Sequence, residues 1–381
     1  MMHPTRSALR TIRNYLDDML YSLVDLRLSF EVQQSPTGFP RFDSLKEKIE
    51  HLDPTHKSLH RLLRLGLPIS DDDIRQAIPP KVLQAFKEAG VLVISDEKSW
   101  QTDGCLLVPI DGLLLFVGVP PSYPTASSIC RPWFDLSTYV IARALPASLE
   151  NKRVVDVCAG SGVQSLLCAQ RGAMAVVGLE IDADAVEIAR SNAVLNALDE
   201  RVEFRVSDGL AALKSDEKFD FLVCNTPYSP TISPSLRVRS SADVGNVVLM
   251  TILETLPAHL SENAHGVLAL WRTVGFGQGA HHRHVLAERL QSLNMTTLAF
   301  LDRAPDTLDN VMRIVRNDLV NLVGEDEVPA IETPIRNLLA VAAKESGGFY
   351  NEVITFRRGD IASAPTGSLF GFRTDLLDRA R

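Results

Sequence analysis

Residues 154–166 read VVDVCAGSGVQSL: a β-branched run, a glycine turn, and a helix that starts near Ser161. Gly160 and Gly162 let the backbone turn tightly and come close to a ligand, as a nucleotide-type cofactor at the carboxyl edge of a sheet requires. Packing alone also produces glycine turns between strand and helix. The flanking sequence decides between the two readings. From about residue 134 the chain alternates strand and helix patterns over short connections, which predicts crossover units and a mainly parallel sheet covered on both faces. Strands are expected at RVVDVC, AVVGLEI, VEFRV, FDFLVC, GVLALWRTV, TTLAFL and NEVITFRR, with helices at 162–171, 183–197, 241–262 and 281–293. The fold class is α/β, a doubly wound, Rossmann-like sheet of seven strands.

Acids stand at successive strand ends. Asp156 lies within the first strand, Glu180 closes AVVGLE, and Asp208, with Gly209 beside it, follows VEFRVS. A carboxylate about 20 residues beyond the glycine turn can accept both hydroxyls of a ribose, a chemistry shared by NAD and S-adenosylmethionine. Asp208 suits a hydrogen bond from an adenine amino group, and Asp156 lies where a ligand's ammonium could be balanced. Each acid taken singly also reads as a solvated turn or cap residue. A rival turn, GFGQGA at 275–280, formally matches GxGxxA, but it follows the fifth strand and is read as a loop. The HHRH at 281–284 has no carboxylate or Cys at ligand spacing, so no metal is expected.

With 381 residues, 45% hydrophobic and 23% charged, the chain can bury a large core. The formal net charge of −8 disfavours extended phosphate contacts, so nucleic acid is not the expected partner. Five cysteines without CxxC spacing, Cys105, Cys130, Cys158, Cys168 and Cys224, indicate neither a disulfide framework nor zinc. The N-terminus lacks an uninterrupted apolar run, and CLLVPIDGLLLFVGVP is broken by Pro109 and Asp111. A cytoplasmic protein without membrane contact is expected.

The first third reads as mostly helical, at 6–25, 53–65 and 70–89, followed by about three short strands, the element order of a winged helix. Only Lys81 and Lys87 lie on the second helix of that unit, so a substrate-covering role is expected for residues 1–120. PPSYPT at 120–125 is a linker by composition, leaving 121–381 as the cofactor-binding domain. A helical insertion near 305–350 covers a site or joins subunits, a homodimer being the expectation.

The chain resembles the class I S-adenosylmethionine-dependent methyltransferases over roughly residues 130–303 plus the last strand. DVCAGSG is similar to their first motif, D-x-G-x-G-x-G, with Cys158 and Ala159 at positions where Gly and a small residue are common. The resemblance implies that Glu180 holds the ribose, Asp208 the adenine, and that Ile181 flanks the base. NTPY, at 225–228, resembles the N/D-P-P-Y/F motif of amino-group methyltransferases that act on glutamine side chains, adenine or other planar amines. The Asn225 amide oxygen and the Thr226 carbonyl can then both accept from one NH₂ group, aiming its lone pair at the methyl. Pro227 would keep the loop rigid and Tyr228 would stack on a planar substrate. Thr226 replaces the first proline, which loosens the backbone and adds a hydroxyl. RPWFDLSTY, at 131–139, is similar to the segment that borders the cofactor in the glutamine-modifying branch, with Tyr139 where an acid is usual. A ring beside a sulfonium is favourable; Tyr139 also reads as a core residue of a helix.

The leading expectation is S-adenosylmethionine-dependent N-methylation of a small metabolite, in secondary metabolism. The alternative is a cyclase on the same fold, which closes the cofactor's own amine on its γ-carbon and releases methylthioadenosine and azetidine-2-carboxylate. A third class is a non-catalytic, nucleic-acid-binding module.

Overall fold

The structure, a computed structural model, describes residues 4–32, 40–95, 99–120, 123–126, 131–134, 136–226, 246–271, 291–302, 307–309, 312–313, 316, 325–346 and 351–358. Six helices come first: α1 (Arg6–Asp18), α2 (Tyr21–Glu31), α3 (Phe42–Ile49), α4 (Pro54–Leu65), α5 (Asp71–Ala77) and α6 (Pro80–Glu88). Their starts follow from capping chemistry. The Thr5 hydroxyl accepts the Ala8 N–H, Asp53 accepts those of Thr55 and His56 ahead of Pro54, and Ser70 accepts that of Asp73. The single helix expected at 6–25 is two, because Leu20 adopts a left-handed conformation (φ 53°) between them.

Two hairpins follow, β1 (Leu92–Ile94) with β2 (Trp100–Thr102) and β3 (Cys105–Ile110) with β4 (Leu113–Gly118). Four strands therefore stand where about three were expected.

The large sheet is built from β5 (Arg153–Val157), β6 (Ala175–Glu180), β7 (Val202–Val206), β8 (Phe219–Asn225), β9 (Leu260–Trp271), β10 (Met295–Asp302) and β11 (Asn351–Arg358). Its order is β10-β11-β9-β8-β5-β6-β7, with β11 antiparallel to both neighbours and the other pairs parallel. This is the seven-stranded, doubly wound sheet expected from sequence. It is covered by α7 (Leu136–Ala144), α8 (Val163–Gln170), α9 (Ala183–Leu195) and α10 (Asn246–Thr255), and α11 (Val328–Ser346) falls in the expected insertion. The strand expected at GVLALWRTV begins at Leu260, six residues early: a short 3₁₀ turn, Leu256–His259, ends the preceding helix, Leu260 already pairs with Phe219 of β8, and His265 pairs with Phe221 of β8 and Arg357 of β11. The expected loop at 275–280, the histidines at 281–284 and most of the helix expected at 281–293 lie outside the described residues.

The two parts of the chain share apolar packing. Ile188 and Leu195 of α9 are buried together with Leu9, Ile12 and Leu16 of α1. The free edge of β4 is closed by two side chains one helical turn apart on α9. Phe116 N–H donates to Asn192 Oδ1 at 2.7 Å and its carbonyl accepts Asn192 Nδ2 at 2.9 Å. Leu114 and Asn196, at the end of α9, repeat the pattern at 2.9 and 2.7 Å. Two carboxamides thus stand in for a neighbouring strand, which satisfies an edge that would otherwise be buried unpaired. No helix of the described residues is long and apolar enough to cross a membrane.

Candidate active site

Because β8, β5, β6 and β7 are parallel neighbours, the residues at their carboxyl ends converge. Val157 pairs with Cys224 across β5 and β8, and Glu180 with Val206 across β6 and β7. The glycine turn after β5, Glu180 at the end of β6, Asp208 beyond β7 and Asn225 at the end of β8 therefore lie along one edge, the usual ligand position of an open α/β sheet.

Within the turn, Cys158 (φ 63°), Gly160 (φ 55°) and Gly162 (φ 83°) are left-handed. Cys158 thus holds, with a side chain, the conformation that a glycine supplies at lower cost. Gly162 is required by packing: a Cβ there would lie 2.6 Å from Cζ of Phe204, whose ring also lies 2.4 Å from the corresponding point on Gly178. Gly160 faces Pro132, its would-be Cβ at 3.3 Å, and its N–H donates to Glu180 Oε2 at 2.9 Å. The second carboxylate oxygen accepts the Asp182 N–H at 3.0 Å. Glu180 is thereby fixed by the loop beside it, with acceptor capacity left over after its backbone bonds to Gly160, Asp182 and Ile181. Burial pushes its pKa up against the pull of these backbone donors.

Asp156 points into the protein, 1% exposed. Its Oδ2 accepts Ser165 N–H at 2.9 Å and Ser165 Oγ–H at 2.6 Å, so it ties strand β5 to the first turns of α8. Burial lifts its pKa to about 7, although both Ser165 bonds favour the charged form. Ala159 is buried, Asp208 is exposed at the rim, Ile181 is 42% exposed, and Gly209 is left-handed (φ 56°). Tyr139 is half-buried on α7, its ring edge-on to Phe134 at 6.1 Å between centroids.

The β8 end of this edge is formed by Asn225 and Thr226. The Asn225 Oδ1 accepts the Ser137 hydroxyl from α7 at 3.1 Å. The Thr226 hydroxyl donates to the Ala269 carbonyl of β9 at 2.8 Å, and the residue is 1% exposed. The loosening expected from the Pro-to-Thr change is therefore offset by a tether. Pro227 and Tyr228 lie outside the described residues.

Sequence reasoning missed Ser137, Ser165, Asn192 and Phe204. Asn192 also donates to the Ser161 carbonyl at 2.9 Å, reaching the glycine turn from α9. The i, i+4 spacing of Asn192 and Asn196 in an otherwise apolar stretch was the available signal; the Ser and Phe residues carried none. Among the described residues no group of three metal-ligating side chains converges.

These residues fit S-adenosylmethionine: an anchored carboxylate for ribose hydroxyls, a rim acid for an adenine amine, and a tight turn against the methionine part. Residues 126–241 match the family model of the methyltransferase small domain. Similar curated proteins include a protein named as an N5-glutamine methyltransferase from Methanocaldococcus jannaschii, 37% identical over 83 residues, covering 22% of this chain and 40% of that one. The ribosomal protein uL3 glutamine methyltransferase of Bordetella pertussis is 32% identical over 134 residues, covering 32% and 44%. The tRNA1(Val) (adenine(37)-N6)-methyltransferase of Phocaeicola vulgatus is 36% identical over 77 residues, covering 20% and 32%. The chain spans less than half the length of each of these three relatives.

Proposed function

We propose that the protein transfers a methyl group from S-adenosylmethionine to a planar NH₂ nitrogen, and that the acceptor is the carboxamide of a glutamine side chain in a protein. The observation that carries this reading is the position of Asn225: the last residue of β8, one strand from the glycine turn, with its oxygen held by Ser137. An amide nitrogen is a poor nucleophile because its lone pair is delocalised into the carbonyl. Two acceptors, Asn225 Oδ1 and the Thr226 carbonyl, can hold its two N–H bonds and turn that lone pair toward the sulfonium methyl. The N–C bond forms as the C–S bond breaks, the bonding pair stays on sulfur as S-adenosylhomocysteine, and the displaced N–H proton leaves to water. Catalysis of this kind rests on orientation rather than on a strong base.

The relatives named above act, by name, on protein glutamine and tRNA adenine, which supports a macromolecular acceptor and lends none to a small metabolite. The net charge of −8 favours protein over RNA. Incubation with S-adenosylmethionine carrying a labelled methyl and an extract stripped of small molecules, followed by mass spectrometry, tests the reading. A methylated glutamine in a protein is expected. Label in RNA would move the acceptor to adenine. Methylthioadenosine formed from the cofactor alone would replace methyl transfer with the cyclase chemistry.

A further inference from the structure

We infer that Ser137 and Thr226 are positioning residues that together fix the Asn225 carboxamide and the carbonyl that follows it, taking the place of the proline that similar acceptor loops carry after the Asn. The inference rests on the reading of Asn225 as the acceptor residue. Three observations support it.

First, the two hydroxyls hold adjacent residues from different directions. Ser137 reaches Asn225 Oδ1 from the first turn of α7, which covers the sheet, while Thr226 reaches Ala269 within the sheet, on β9. Second, Ala269 is the register partner of Asn225, the last pair of the β8–β9 ladder. The Thr226 hydroxyl therefore bonds the two strands one residue beyond where main-chain pairing ends. A proline restrains that residue through its ring and has no N–H to donate; a threonine hydroxyl restrains it by binding a neighbour. Third, neither hydroxyl is placed for solvent. Ser137 is 8% exposed and Thr226 1%. Groups this buried are retained with their partners because leaving one unmade is costly.

The consequence concerns orientation. With Ser137 donating to one lone pair of Oδ1, the carboxamide can no longer rotate end for end without losing that bond, and the second lone pair keeps a fixed direction. With Thr226 tied to Ala269, the residue that carries the second acceptor carbonyl is held at the end of β8. The pair of acceptors needed for one NH₂ group is thus set before the substrate arrives.

The test reads the amide directly, so it needs no acceptor. In protein labelled with ¹⁵N-asparagine and saturated with S-adenosylhomocysteine, the Asn225 side-chain NH₂ pair is the one lost in Asn225→Ala. Ser137→Ala and Thr226→Val are expected to shift or broaden that pair, and Ser137→Thr and Thr226→Ser to leave it in place. The affinity for S-adenosylhomocysteine by calorimetry should change by less than about twofold throughout. If either disruptive variant fails to fold, Ser137→Cys and Thr226→Ala carry the same readout. An unmoved pair in both disruptive variants overturns the inference, as does a hydroxyl-retaining variant that behaves like the disruptive one. With a methylated acceptor in hand, Ser137→Ala should lower kcat about tenfold, and Asn225→Ala/Ser137→Ala should be no slower than Asn225→Ala alone. An absence of methyl transfer by the wild-type protein would sink the proposed function while leaving the amide signature to decide this inference separately.

Discussion

Asp156 shows how far one side chain can be read from its letter. Its place at the end of a β-branched strand before a glycine turn was legible. Its partner was not, because Ser165 is an unremarkable residue until α8 turns it back onto β5. The same holds at Gly162, where the glycine pattern was visible but its cause, the Phe204 ring, arrives from a strand about 40 residues later. The buried Asp156 carboxyl makes a testable contribution to pH dependence. Its pKa rises from 3.8 to about 7 on folding. The unfolded chain therefore ionises first, so the stability held by the neutral acid is fully present below 3.8 and lost as pH rises through 7. Thermal melts of the wild-type protein and Asp156→Asn between about pH 5 and about pH 8 check this. The wild-type Tm should fall more steeply with rising pH than that of the variant, whose amide oxygen can still accept from Ser165.

At the scale of elements, the strands of the sheet were legible because parallel, doubly covered strands are short continuous apolar runs between turn signals. The expected and observed limits of β7 and β11 coincide. The start of β9 was not legible: LSENAH lacks apolar alternation, and pairing with β8 and β11 draws it into the sheet. The contact of α9 with β4 was equally hidden, since Asn is a poor helix former whose value here is its carboxamide. Asn192→Leu should remove three hydrogen bonds and leave the Phe116 N–H and two carbonyls buried without it. A loss of about 2–4 kcal/mol in urea unfolding is expected. Because one of those carbonyls belongs to Ser161 in the glycine turn, the affinity for S-adenosylmethionine should weaken as well. A change below about 0.5 kcal/mol would show that the amide ladder is dispensable.

For the whole molecule, the helical first third was legible as helical but not as a structural support of the site. Arg131 pairs with Asp103 at 3.2 Å, the Pro132 carbonyl accepts the Gly118 N–H at 2.7 Å, and Pro132 then borders Gly160. The hairpin β3–β4 therefore reaches the glycine turn through one short segment. Deeper in this third, Arg64 Nε meets Asp25 Oδ1 at 2.8 Å with both residues buried, and His60 stacks on Tyr21 at 4.5 Å. His60 Nδ1–H donates to the His56 carbonyl at 2.9 Å, while Nε2 is buried with no hydrogen-bond partner among the described residues. Burial lowers its pKa from 6.5 to about 4, so its contribution to stability is present above 6.5 and lost as pH falls through 4. His60→Gln should flatten the acid limb of the stability profile over that interval, as read by urea midpoints. An unchanged limb would mean that other groups govern the acid unfolding of this third.

The central claim joins these scales in one residue, Asn225, set at the sheet edge by the fold and held by Ser137. The measurement that tests it most directly is labelled methyl transfer from S-adenosylmethionine to the protein acceptor by wild type and Asn225→Ala, with cofactor affinity measured on both. A fall in turnover of about a hundredfold or more, with cofactor affinity changed less than about twofold, is predicted. Equal turnover in the two proteins would contradict the account, because the nitrogen would then be oriented without the group the site is built around.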